Sequence, residues 1–333
     1  MSMRKTAVDI LNENQDILKL LTTKYGNVLN RSTLIDMLSS FRNDYGISIN
    51  VSLNGFIRLL TERTNLFERV SVLLKGKLIR RYIPTFIDGG ISPYEIALSL
   101  ANTKKAYFSH LSAMYINNLT NLEPTTIYVN SEQSPKPVNK ENSVLTQRKV
   151  DAAFLRPVRT TTNIASFQYQ KNNYNVVLLN GKSTKYTGVV SLRPMGFSKE
   201  VRVADTERTL IEATVRPSYS GGVSEVLSAY LRAKAQHISV NKILGYLNQM
   251  NYIYPYIQPI YFYTRNSGYN LKQLSRVKER MEERNSGINM YLDHQMIGPV
   301  LEKNSNVYIP SSMSRRLGIN TIDRILTGRP ETS

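Results

Sequence analysis

Cysteine is absent from the 333 residues, so disulfides, thiolate metal sites and thiol nucleophiles are excluded. This suits a reducing interior. Histidine is scarce. His110, His237 and His294 lie far apart, and none sits at a metal-ligand spacing. No Gly-x-Ser-x-Gly elbow occurs, and no Ser/His/Asp constellation can be assembled. Long apolar runs are also missing: the longest candidate for a membrane span, Tyr252 to Thr264, is short and holds Pro255 and Pro259. Met1-Ser2-Met3-Arg4 leads into a polar helix with no apolar segment, so no signal peptide is expected and a cytoplasmic location is. Acidic residues are few, 25 against 43 Lys and Arg, giving a formal net charge of +18. The excess is even, with six more basic than acidic side chains in each of 1–83, 84–200 and 201–333. A surface that is basic throughout favours polyanions or an acidic protein partner.

The most informative segment is the first 83 residues. Leu53, Phe56, Ile57 and Leu60 form one apolar helical stripe, with Ser52 as its N-cap. Its outer side carries Asn54, Arg58 and Thr61, with Gly55 leaving room for close approach. Asn and Arg have the geometry to read adenine and guanine edges. Before it, Ser32 is expected to cap a helix through Leu34, Met37, Leu38 and Phe41, and a first helix is expected over Ile10 to Tyr25. Phe67 to Leu74 and Leu78 to Ile83 flank Lys75-Gly76-Lys77, a hairpin signal. Three helices followed by a basic hairpin predict a winged helix-turn-helix. The candidate DNA contacts are Asn50, Ser52, Asn54, Arg58 and Thr61 on the helix side, and Lys75, Lys77, Arg80 and Arg81 on the wing.

Residues 84–333 are expected to form a second, larger α+β domain, mixed to about residue 204 and mainly helical after it. Ser92-Pro93 and Ser109 are expected to start helices. Thr126 to Asn130 reads as a strand, and the polar stretch Ser131 to Thr146 as an exposed loop. Tyr174 to Leu179 and Tyr186 to Leu192 read as a hairpin around Asn180-Gly181. Gly181-Lys182-Ser183-Thr184 copies the end of a phosphate-binding loop, but the glycine needed earlier is replaced by Val176, so it too reads as part of that turn. Asp205 is expected to cap a helix in which Arg208 pairs with Asp205 or Glu212. Asp205 and Glu207 are near each other, yet two carboxylates alone do not make a nuclease. The charged run over 269–284 reads as a solvated helix face.

Two segments carry a family likeness. One runs from Lys105-Ala106-Tyr107-Phe108-Ser109-His110 to Leu119-Thr120, Pro124 and the strand at Thr126. The other is Val201 to Leu210, with Asp205, Arg208 and Thr209, followed by Arg216-Pro217 and Gly221-Gly222. With a preceding winged helix, this order resembles the AbiEi-type antitoxins of bacterial abortive-infection systems, across the head and most of 92–250. The resemblance implies a repressor that binds inverted repeats in double-stranded DNA upstream of its own operon. It also implies an antitoxin that counteracts a nucleotidyltransferase-like toxin, with or without a stable complex. No catalytic residue, cofactor or metal is implied, and no residue is singled out for neutralisation. The alternative is a protein-interaction module whose basic surface docks an acidic partner, the head being vestigial.

Overall fold

The computed structural model describes residues 5–135, 144–284 and 287–319. A capping box between Thr6 and Asp9 starts α1 (Ala7–Glu13), and α2 (Gln15–Lys24) follows. The single helix expected here is broken at Asn14, whose side-chain amide donates to the Ile10 carbonyl and competes with the helical ladder. α3 (Arg31–Asp44) is capped by Asn30 and not by Ser32 two residues later, because Asn30 and Thr33 exchange side chain-to-backbone bonds. Leu34, Met37, Leu38 and Phe41 are buried as the period requires. Ser52 caps α4 (Leu53–Arg58) by accepting from the Gly55 amide at 3.1 Å. A π-helical turn, Leu59–Arg63, extends it, and Thr64 closes that turn by donating both its amide and its hydroxyl to the Leu59 carbonyl. β1 (Phe67–Leu74) and β2 (Lys77–Pro84) then form an antiparallel hairpin. Its turn places Lys75 and Gly76 at φ of +50° and +76°, the two-residue geometry that matches strand twist.

The next segment holds α5 (Pro93–Leu98), β3 (Tyr107–Phe108), α6 (His110–Ile116), β4 (Thr126–Glu132), α7 (Gln147–Phe154), β5 (Ile164–Tyr169), β6 (Asn172–Gly181), β7 (Val189–Leu192) and β8 (Val201–Ala204). Ser92 and Glu95 make a capping box for α5, with Pro93 at the first position. Ser109 takes the cap position of α6 but makes no cap bond; its hydroxyl lies 2.9 Å from His110 Nδ1 instead. Of the polar loop expected over 131–146, residues 136–143 lie outside the described residues.

The strands make one eight-stranded sheet in the order β2-β1-β5-β6-β4-β3-β8-β7. The sheet therefore runs across residue 83, where the sequence suggested a junction: β1 pairs with β5 through Val72, Leu73 and Leu74. The hairpin expected at Asn180-Gly181 is not there. β6 turns back on β5 at Gln170-Lys171, which carries no glycine signal yet holds φ of +48° and +69°. Among the described residues β7 pairs only with β8, at the far edge of the sheet. Val70, Val72, Phe108, Ile127, Val129, Val176 and Val203 fill the core of this layer.

After residue 204 come α8 (Thr206–Val215), α9 (Val223–Ala235), α10 (Val240–Met250), α11 (Ile257–Asn266) and α12 (Leu271–Glu283). A small sheet of β9 (Met290–Tyr291), β10 (Val300–Glu302) and β11 (Val307–Ile309) follows, then α13 (Ser311–Arg316). Asp205 caps α8 and Ser239 caps α10, as expected. The aromatic, proline-broken stretch becomes α11, buried from Ile257 through Thr264, with Pro259 in the first turn where its missing N–H is harmless. α12 exposes its charges and pairs Lys278 with Glu282 and Arg280 with Glu283. The fold is α+β. No helix among the described residues is long and apolar enough to cross a membrane.

Candidate functional site

Two places concentrate cationic side chains. The first is the helical head. Asn50, Asn54 and Arg58 are exposed, as are Lys75, Lys77 and Arg80 on the hairpin. Arg31, which the sequence did not single out, donates from Nη1 to Asn54 Oδ1 at 3.3 Å, so a further guanidinium stands beside the outer side of α4. Arg42 ties the α3–α4 connection down by donating to the Ile49 and Val51 carbonyls. Two candidate side chains are already engaged: the Ser52 hydroxyl caps α4, and the half-buried Thr61 hydroxyl donates to the Ile57 carbonyl. Arg81 does not belong with the exposed hairpin charges. It points into the body, with Nε donating to the Ser99 hydroxyl and Nη2 to the Ser99 carbonyl, and burial lowers its affinity for its proton.

The second place is a cleft of about 500 Å³ where the two resemblance motifs meet. At its base lies Arg208, whose side chain is 3% exposed. Nε reaches Glu212 at 2.8 Å and Nη2 reaches Glu132 at 3.2 Å. Nη1 donates to the Thr184 hydroxyl at 3.0 Å and to the Thr187 carbonyl, and Nη2 also donates to the Tyr107 hydroxyl. Of the two partners expected for Arg208, Glu212 is the one found; Asp205 is held by Tyr246 and Lys242. Burial pushes the Glu132 carboxyl up, but hydrogen bonds from Thr184 and Tyr186, with the charge of Arg208, hold it below its ordinary range. Gly188, at φ of +70°, lets the chain pass this cluster: a Cβ there would fall 2.5 Å from the Tyr246 ring and 3.0 Å from Arg208.

The wall of the cleft includes His110, at φ of +50° and 7% exposed. Burial lowers its pKa to about 4; Glu212 opposes this, and Arg216 and Arg208 add to it. The ring is neutral at physiological pH. Gly181 to Thr184 lie along the same cleft rather than in a hairpin turn. The Gly181 amide donates to Asn130, Lys182 donates to the Met250 and Asn251 carbonyls at the end of α10, and Thr184 is bound to Glu132. No helix follows this segment, so the phosphate-loop likeness stops at the letters. Asp205 and Glu207 both bind Lys242, at 3.0 and 2.9 Å, which fastens α10 to α8. No group of three or more His, Asp or Glu side chains suited to a metal occurs among the described residues.

An α+β chain with a helical head, a hairpin fused into a mixed sheet and a helical C-terminal layer is the class defined so far. No protein-family model and no curated protein matches the chain. Among solved structures it is similar to the RV2827C protein from Mycobacterium tuberculosis, with a TM-score of 0.55, 12% identity, and 95% of this chain and 96% of that one covered. A likeness at that identity concerns the fold alone.

Proposed function

We propose that this chain is an AbiEi-type antitoxin and repressor, acting in the cytoplasm through a winged-helix head that binds inverted repeats in its own operon. One observation carries the DNA half. Arg31, Arg58, Lys75, Lys77 and Arg80 are all exposed, and none makes an ion pair among the described residues. Free cations beside a capped helix and on a hairpin tip are what phosphate and groove contacts need. The bridge from Leu29 to Tyr82 and the α3–α4–hairpin order support the winged-helix reading. The antitoxin half rests on the motif resemblance, and no reaction is part of it.

Full-length protein should bind a duplex from its upstream region more tightly than random duplex, with affinity falling steeply as salt rises. Arg58→Ala should relax specificity at one or two base pairs, at about 1–3 kcal/mol each. Lys77→Ala should weaken all duplexes alike and reduce the salt slope by about 1. Equal affinity for upstream and random duplex at physiological salt would sink the repressor reading. Deletion of residues 1–83 is a poor test of where neutralisation resides, because it strips β1 and β2 from β5. Co-expression of the toxin with head substitutions keeps the sheet whole.

The protein-interaction reading has its own support. Leu73 and Leu78 are paired across the hairpin and exposed, with exposed Ile164 near the end of the same strands. Salt-resistant co-purification with the neighbouring gene product, lost on Leu78→Lys, would favour it.

A further inference from the structure

We propose that the cleft between α8, β6 and the segment at 159–161 binds a small phosphate-bearing ligand of about mononucleotide size. The inference does not depend on the DNA or antitoxin reading. Four cationic side chains line the cleft, Arg159, Lys182, Arg208 and Arg216, against one carboxylate, Glu212. His110 adds no charge. Arg208 is consumed by Glu132 and Glu212. The other three have no carboxylate in ion-pair contact among the described residues. The Arg159 guanidinium makes no hydrogen bond there. Arg216 donates only to the Arg159 carbonyl, at 3.3 Å, and lies 5.9 Å from the Tyr219 ring centre. Asp293 senses Arg216 without closing a pair with it. Lys182 is met by neutral carbonyls and lies 5.8 Å from the Tyr252 ring centre.

Arg159, Lys182 and Arg216 outnumber the one negative charge left over where Arg208 meets both Glu132 and Glu212, so the concavity stays positive and attracts an anion. Two guanidinium groups suit phosphate oxygens, which they can grip in pairs. The hydroxyls of Thr160 and Thr161 lie on the same wall and add neutral donors. The volume, about 500 Å³, is in the range of small-molecule sites and too small for a folded partner. Tyr219 and Tyr252 also line the cleft, beside Arg216 and Lys182, and add aromatic surface for a ring attached to the phosphate. The strained backbone of His110 beside the cleft fits the tendency of such residues to gather at functional sites.

Calorimetric titration of the full-length protein with adenosine monophosphate, and separately with pyrophosphate, tests the proposal. The expected result is saturable binding of the nucleotide at one site. Affinity should fall at least tenfold in Arg159→Gln and in Arg216→Gln, and should be unchanged in Lys77→Ala on the head. Arg159 is exposed, so its variant should melt like the parent and keep the test clean even if Arg216→Gln folds poorly. Binding of pyrophosphate without the nucleotide would overturn the mononucleotide-sized ligand. No saturable binding of either at millimolar concentration, or binding indifferent to Arg159→Gln, would overturn the site altogether.

Discussion

Arg208→Met is expected to destabilise the protein by about 3–5 kcal/mol, the cost of leaving buried charges without a partner. Methionine keeps much of the length and removes the fork. Glu132 and Glu212 are then left without their cation in side-chain environments 1% and 6% exposed. The Tyr107 and Thr184 hydroxyls and the Thr187 carbonyl each lose a donor as well. Arg208→Lys should recover only part of the loss, since an ammonium cannot span Glu212 on one side and Tyr107 with Glu132 on the other. Urea unfolding followed by near-ultraviolet circular dichroism measures both, with exposed Arg58→Met as a control near zero. A loss of less than about 1 kcal/mol for Arg208→Met would show that the cluster is not the anchor its geometry indicates.

Acid should weaken the fold in a window set by His110. Its pKa is about 4 in the folded protein, against an ordinary value of 6.5. Below 6.5 the unfolded chain takes up a proton that the folded chain refuses, so the balance shifts toward unfolding until the folded pKa is passed. At about 1.4 kcal/mol per pH unit, the loss between pH 6.5 and 4 is up to about 3 kcal/mol. Glu132 acts with the same sign at lower pH. Its carboxyl is held below the ordinary value, so the stability it contributes is present above that value and lost as pH falls through the folded one. His110→Asn is the informative variant: asparagine tolerates a positive φ and does not titrate. Its stability should be nearly flat from pH 6.5 to about 5, above the carboxylate range, where the parent's already declines. A parent and variant with the same slope there would remove His110 as the cause.

Much of the local structure was legible from short-range rules. Ser52, Ser92, Asp205 and Ser239 stand where helices begin, because a short oxygen-bearing side chain can bond the free amides of the first turn. Lys75-Gly76 turns a hairpin because its backbone can take positive φ. The same rules misplaced the cap of α3, where Asn30 and Ser32 are both acceptable and only the reciprocal bond with Thr33 decides. They also misplaced a strand pairing. Asn180-Gly181 has the better turn letters, yet Gln170-Lys171 turns, because β6 is claimed by β5 on one side and β4 on the other.

The cleft shows the limit most plainly. Asp205, Arg208 and Arg216 were visible as a pattern in the chain, and the pairing of Arg208 with Glu212 follows from helical spacing. Glu132, Tyr107 and Thr184 lie 76, 101 and 24 residues from Arg208 and have no local signature that joins them to it. Arg159 sits in an irregular stretch with nothing to mark it. Arg81 looked like any other wing cation until the fold brought Ser99 against it.

The sequence by itself determined the α+β character, the helix starts at Ser52, Ser92, Asp205 and Ser239, the basic hairpin and the even excess of positive charge. Each of these follows from residues within a turn or two of one another, or from composition. Only the tertiary structure decided that the hairpin is the edge of an eight-stranded sheet rather than a free wing. It alone decided which cations are spent on buried carboxylates and which remain open to a ligand. Pairing between distant segments is settled by burial and charge compensation across the whole chain, and no window along the sequence contains both partners.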